Sequence, residues 1–261
     1  MLGKRQLGAV RRKFVSSMCK RQALLGTCGP IVSFTFDDFP RTALTAGGEI
    51  LRAHGVRGTY YTAAGMMDTS NHLGDQFRAD DLEKLLRDGH ELASHTFSHL
   101  SCRSISADKF RGDVEKGRRA LEKITGQSDS GNFAFPFGQI TLNAKRVVGQ
   151  DVASSRGIMS GFNGPVIDLN MLRGNSLYGD QSNSAKVKDL IVENERRQSW
   201  LIFYTHDVSP RPSPYGCTPD LLQFAVSFAL QRCARVSTIA QALAEAGPRV
   251  LVQSHGQSAS V

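Results

Sequence analysis

The run Trp200-Leu201-Ile202-Phe203-Tyr204-Thr205 sets the tightest limit on what this chain can fold into. It has no apolar–polar alternation, so it reads as a strand buried on both faces, the mark of a parallel sheet covered by helices. A second run, Ile31-Val32-Ser33-Phe34-Thr35-Phe36, is equally β-rich and ends in Asp37-Asp38. Strand and helix signals alternate around these two. Helices are expected over 43–53, 79–87, 106–125, 142–149, 186–197, 219–233 and 237–246. Strands are expected over 58–62, 90–94, 132–135, 151–155 and 234–236, with one more at 169–173 inside a Gly- and Asn-rich stretch, 157–185. About seven β/α units in about 220 residues predict a closed or nearly closed parallel barrel, with an open doubly wound sheet as the alternative. No glycine-rich phosphate loop follows the first strand, which argues against a nucleotide site.

The length of 261 residues suits one large domain, and 40% hydrophobic content with a mean hydropathy of −0.26 excludes a largely disordered chain. The net charge of +8 is unevenly spread. Seven basic residues lie in the first 22 positions, no acid precedes Asp37, and the remaining 25 bases face 24 acids. A nearly neutral body with a basic leading segment is a poor match to a nucleic-acid-binding domain. Leu7, Val10, Phe14 and Met18 recur at helical spacing, so residues 1–29 are expected to form a basic helical extension. It would pack on the body or touch a membrane surface peripherally, and its acid-poor, Arg-rich start also fits a transit peptide. The body is expected over 30–248, and 249–261 reads as a polar tail. Five scattered cysteines without a CxxC, and no hydrophobic leader, predict a cytoplasmic protein, membrane-associated if the basic segment binds lipid.

Reacting groups of parallel barrels sit at the C-terminal ends of the strands. The titratable residues fall there: Asp37-Asp38 after the first strand, His95 after the third, Pro136-Phe137-Gly138 after the fourth and His206 after the long apolar run. His95 and His99 stand four apart. On a helical turn they would point the same way and could share a metal ion, although such a pair alone more often caps or packs. A carboxylate from another strand end would complete a His₂–carboxylate set with open positions. Adjacent carboxylates are costly unless they have different tasks, one on a cation and one taking a proton; an Asp-Asp pair can also cap a helix or make a turn. A strand-end histidine such as His206 can be no more than hydrogen-bonded.

These motifs together resemble the NodB-type polysaccharide deacetylases, carbohydrate esterase family 4. Phe34-Thr35-Phe36-Asp37-Asp38 resembles their first motif, His95-Thr96-Phe97-Ser98-His99 their H-[ST]-x-x-H motif, and Ala134-Phe135-Pro136-Phe137-Gly138 their R-x-P-[YF]-G motif. Leu201-Ile202-Phe203-Tyr204-Thr205-His206 stands in place of the late L-x-H strand, and the likeness runs from about residue 31 to 246. The resemblance implies a deformed (β/α)7 barrel that removes N-acetyl, or O-acetyl, groups from sugars. It implies Asp37 as general base and His206 as general acid. Asp38, His95 and His99 would hold one divalent ion, Zn²⁺ ahead of Co²⁺, Ni²⁺ or Mn²⁺. The Phe137 N–H would face the oxyanion, with Pro136 and Phe137 at the substrate. The implied partner is an acetylated oligo- or polysaccharide or a soluble or lipid-linked glycan precursor.

Two positions depart from the pattern. The arginine of the third motif, which orients the base, is Ala134 here, and the usual Asp-Trp motif has no counterpart after Asp151. A base carboxylate beside a cation needs a partner to hold it. Arg156, one strand further on the same rim, is expected to pair with Asp37; the alternatives are that it binds an anionic substrate or faces solvent. Rival readings of the function are hydrolysis of a non-sugar amide, formyl or imide C–N bond, and a non-catalytic carbohydrate-binding descendant.

Overall fold

The structure, a computed structural model, describes residues 14–15, 17–26 and 29–251. In chain order the first elements are β1 (Gln22–Leu24), β2 (Ile31–Asp38), a helical stretch wound as a π-helix over Ala43–Gly48 and continuing as α1 (Glu49–Ala53), and β3 (Thr59–Thr62). A hairpin of β4 (Ser70–Asn71) and β5 (Gly74–Asp75) precedes α2 (Ala79–Arg87) and β6 (Glu91–Ser94). Then come α3 (Ala107–Thr125), β7 (Asn132–Ala134), α4 (Leu142–Asp151), β8 (Ser154–Arg156), β9 (Val166–Asp168) and β10 (Asn175–Ser176). The last elements are α5 (Ser184–Arg197), β11 (Trp200–Thr205), α6 (Pro219–Gln231), β12 (Arg235–Val236), α7 (Ile239–Ala246) and β13 (Arg249–Val250).

Seven parallel strands run in the order β10-β11-β2-β3-β6-β7-β8, with β12 also paired to the start of β2. All six residues of β11 and all eight of β2 are buried, and they pair from Trp200 opposite Ile31 to Thr205 opposite Phe36. Alternation sends Val32, Phe34 and Phe36 outward into the layer beneath the helices, with Leu82, Leu201, Phe203 and Leu222. Ile31, Tyr61, Ala93, Ala134, Trp200 and Ile202 form a separate cluster inside the curled sheet. The two outer strands are linked by the chain between them: Leu172 bridges to Arg156, and Asn175 pairs with Phe203. The architecture is the deformed (β/α)7 barrel and not the doubly wound sheet.

The helices start where the chain offers caps. Ser106, Thr141, Thr218 and Thr238 each accept a hydrogen bond from the backbone N–H three residues on, and Pro219 opens α6 at a position whose N–H needs no partner. The expected helical extension is corrected in part. Gln22–Leu24 is a strand, antiparallel to both β9 and β13. The fully buried Lys145 fixes this segment, its Nζ 2.6 Å from Asp168 Oδ2 and 2.8 Å from the Met18 carbonyl. Arg21 adds bonds to the carbonyls of Gly149 and Val152. The tail reading is corrected likewise, because Arg249–Val250 pairs with β1. Residues 1–13 and 252–261, which carry the rest of both readings, lie outside the described residues. Among the described residues no helix is long and apolar enough to cross a membrane.

Candidate active site

The C-terminal strand ends open into a cavity of about 560 Å³. Asp37, Asp38, His95, His99, Phe137 and His206 all line it, so six of the residues singled out from the sequence meet in one place. Successive strand residues normally point to opposite faces. Both carboxylates reach the cavity because Asp38 leaves strand geometry, with φ 65°, followed by Phe39 at 66°. Asp37 keeps its inward register.

Asp38 Oδ1 lies 2.9 Å from His99 Nε2 and 3.3 Å from His95 Nε2. The two histidines do not share a helical turn, which corrects that expectation. They lie on a loop in which Thr96 and His99 have φ of 71° and 51°. Helix α3 holds this loop. Asp113 accepts from Ser98 N at 3.0 Å and Ser98 Oγ at 2.8 Å, and the Phe97 N–H reaches the Asp113 carbonyl. Gly117 permits the close approach, since a Cβ there would stand 2.5 Å from the Thr96 carbonyl oxygen.

The donor set fits a divalent ion. His95 Nδ1 is 2.7 Å from the Ala134 carbonyl, which can only accept, so that nitrogen carries the proton and Nε2 turns its lone pair toward Asp38. Asp38 Oδ1 is buried and receives no hydrogen bond. Two imidazole nitrogens and an acceptor-only oxygen, within 4.8 Å of one another, converge on a point that a cation would satisfy. Burial opposes ionisation of Asp38, but without a cation the two imidazoles, when they donate from Nε2 or carry charge, outweigh it and hold the carboxyl well below the usual carboxylate range.

Asp37 has a different partner. The Arg156 guanidinium bonds its Oδ1, and both side chains are buried, Arg156 at 1% exposure. Burial works against the guanidinium's charge, but Asp37 overrides it and raises the Arg156 pKa. The guanidinium carbon lies 4.9 Å from the Tyr61 ring centre and 5.0 Å from that of Tyr204. Burial pushes the phenols of Tyr61 and Tyr178 far above their ordinary value, so both stay neutral beside it. Ala134 and Arg156 are register partners on β7 and β8, so the arginine missing from one strand enters the barrel at the same level from the next.

Phe137 sits at φ 58° with its side chain 58% exposed, and its ring centre is 4.4 Å from that of His99. Pro136, expected at the substrate, is instead buried and absent from the cavity wall; it opens the turn that presents Phe137. His206 Nδ1 lies 3.1 Å from the Tyr215 carbonyl. The sequence reading missed His72, Tyr178 and Tyr215, which also line the cavity from loops and the β4–β5 hairpin. None sits in a periodic segment, so no spacing signal pointed to them.

Residues 26–151 match the family model described as polysaccharide deacetylase. Over 94 residues the chain is 27% identical to a peptidoglycan-N-acetylglucosamine deacetylase of Bacillus cereus, covering 36% of this chain and 40% of that protein. The chain therefore spans about two-fifths of the length of that curated relative. It is similar in structure to the carbohydrate esterase family 4 domain of a multidomain xylanase from the hindgut metagenome of Trinervitermes trinervoides, with a TM-score of 0.54 and 17% identity over 84% of this chain and 92% of that one. It is also similar to a pseudoenzyme of the same esterase family from Bacillus anthracis, with a TM-score of 0.53 and 15% identity over 83% of this chain and 66% of that one. These structural likenesses are likenesses of fold.

Proposed function

We propose that this chain, whose residues 26–151 match the polysaccharide deacetylase model, is a NodB-type deacetylase of carbohydrate esterase family 4, a metal-dependent hydrolase removing N-acetyl groups from a carbohydrate, a reading that the cleft's geometry supports. The observation that carries the proposal is the separate partnering of two adjacent carboxylates, Asp38 with two imidazoles and Asp37 with a guanidinium. Neighbouring groups of one chemical type are thereby given different tasks.

Asp38, His95 and His99 would hold the ion, for which Zn²⁺ suits the two imidazoles and one carboxylate. When bound, such an ion polarises the acetyl carbonyl and eases ionisation of water. Arg156 engages Oδ1 of Asp37, which leaves Oδ2 to take the proton of the attacking water. As the carbonyl carbon becomes tetrahedral, the Phe137 backbone N–H donates to the developing oxyanion; donors of this kind contribute roughly 3–4 kcal/mol. An amine cannot leave as an anion, so His206 passes a proton from Nε2 to the nitrogen while the C–N bond breaks. The products are acetate and a free amine. The exposed rings of Phe137 and Tyr215 offer faces on which a sugar can stack. Among the described residues lining the cavity, the acids are Asp37 and Asp38 and there is no lysine, arginine or glutamate, which suits a neutral saccharide.

The test is a substrate panel of N-acetylglucosamine oligomers, a formamide and a cyclic imide, assayed on metal-loaded protein. Acetate from the sugars supports the proposal. Turnover of the imide or formamide alone would move the same machinery to a non-sugar C–N bond. No turnover, with one ion bound per chain, would make this a binding descendant.

A further inference from the structure

We infer that Asp207 is a positioning residue for His206, acting through the carbonyl of Tyr215. The inference rests on the general-acid reading of His206. A general acid must present one particular nitrogen, so its tautomer and ring angle have to be fixed from the other side of the ring. Here the fixing group is the Tyr215 carbonyl, 3.1 Å from Nδ1. The same oxygen receives the His206 backbone N–H at 3.2 Å and the Thr205 hydroxyl at 3.4 Å. A carbonyl only accepts, so Nδ1 carries the proton and Nε2 is the nitrogen available to the cavity.

Tyr215 belongs to a loop, and its carbonyl is as well placed as the loop is rigid. Asp207 supplies that rigidity. It is 4% exposed, and although it follows His206 in the chain, its carboxylate bonds Ser213 instead of the imidazole. Oδ2 accepts from Ser213 N at 2.8 Å and Oδ1 from Ser213 Oγ at 2.5 Å. Ser213 then bonds onward, its Oγ accepting from Tyr215 N at 3.1 Å and its carbonyl from Gly216 N at 3.1 Å. The Asp207 carbonyl closes the far end by accepting from Cys217 N at 2.9 Å.

Gly216 gives an independent sign of the same device. A Cβ there would stand 2.3 Å from Asp207 Oδ1 and 2.5 Å from the Asp207 carbonyl oxygen, so the turn is wrapped onto this one residue. Charge-assisted bonds from a buried carboxylate to a backbone N–H and a hydroxyl are among the stronger ways to hold a loop. The titratable groups whose rings face His206 are Tyr178 and Tyr215, at 6.1 and 5.8 Å between ring centres. Neither is a carboxylate, so the loop carbonyl does the orienting work.

The experiment compares wild type, Asp207→Asn, Ser213→Ala and His206→Ala as metal-loaded proteins on an N-acetylglucosamine trimer. It adds ¹⁵N NMR of the His206 ring without substrate. Asp207→Asn should lower kcat by about 10–100-fold, with KM changed by less than about threefold. It should also convert a single Nδ1–H tautomer into a mixture. Ser213→Ala should move both readouts the same way, and carries the test if Asp207→Asn does not fold. Wild-type kcat in Asp207→Asn, or a reduced kcat with the Nδ1–H signature unaltered, overturns the inference. Wild-type kcat in His206→Ala overturns the general-acid reading instead, and the NMR result separates the two failures.

Discussion

Replacing Arg156 by alanine should cost this protein both stability and turnover. The guanidinium is 1% exposed, bonded to Asp37 and set between the rings of Tyr61 and Tyr204. Breaking a buried ion pair by removing one partner costs about 3–5 kcal/mol, because the other charge stays buried without its counterpart. At about 2–4 °C per kcal/mol for a chain of this size, Tm should fall by roughly 6–20 °C. Losing the group that holds the base should lower kcat by about 10–100-fold with the ion retained. Arg156→Lys keeps the charge but not the planar fork and should fall between the two. The decisive variant is Arg156→Ala combined with Ala134→Arg. Ala134 is fully buried, faces the barrel interior and is the register partner of Arg156, so a guanidinium from position 134 would enter at the level of the one removed. Turnover in the double variant should recover at least partly over Arg156→Ala. Steady-state kinetics, metal analysis and thermal melts read all of this. Wild-type kcat in Arg156→Ala, whatever its melting temperature, would show that Arg156 serves the fold alone.

The other variants divide the site by task. Asp38→Asn, His95→Ala and His99→Ala should each lose the ion while circular dichroism stays native; loss of the ion in Asp37→Asn would mean the two carboxylates have been assigned in reverse. His206→Ala should lower kcat by about 100-fold or more while the ion is retained, since the leaving amine then lacks its proton donor; wild-type kcat in the variant would take His206 out of the reaction. His90 provides a pH test of the fold. It is buried, its Nδ1 accepts from the Gly58 N–H, and burial followed by the charge of Arg57 lowers its pKa to about 4. The unfolded chain thus binds the proton more tightly, so the contribution is complete above the unfolded value of about 6.5 and is lost as pH falls toward 4, about 3 kcal/mol in all. Urea unfolding at pH 6.5 and pH 4 should show a smaller difference in His90→Asn than in wild type, and equal differences would contradict this.

What the sequence could disclose follows from where its constraints are local. Strands β2 and β11 were legible because burial on both faces removes alternation, and the strand ends located the site because that is where a parallel barrel opens. Arg156 was legible for the same reason: a side chain at the end of the next strand shares the rim with Asp37. The shape of the His95–His99 turn was not legible, because it depends on Asp113 and Gly117 in α3 and on positive φ at Thr96 and His99. Strand β1 was hidden since Gln-Ala-Leu has little strand character of its own, and its partners lie more than 140 residues away. Tyr215 and Asp207 act through a loop carbonyl and an aperiodic turn, for which no residue pattern exists.

In the proposed reaction Asp38 serves the cation and Asp37 the proton. Metal content and acetate release, measured on the same preparations of wild type and Asp37→Asn with an N-acetylglucosamine oligomer, test it most directly. One ion per chain is expected in both proteins, with acetate from wild type that a chelator abolishes and added Zn²⁺ restores, and no acetate from Asp37→Asn. Acetate release that survives complete removal of the ion, or that continues unchanged in Asp37→Asn, would contradict it.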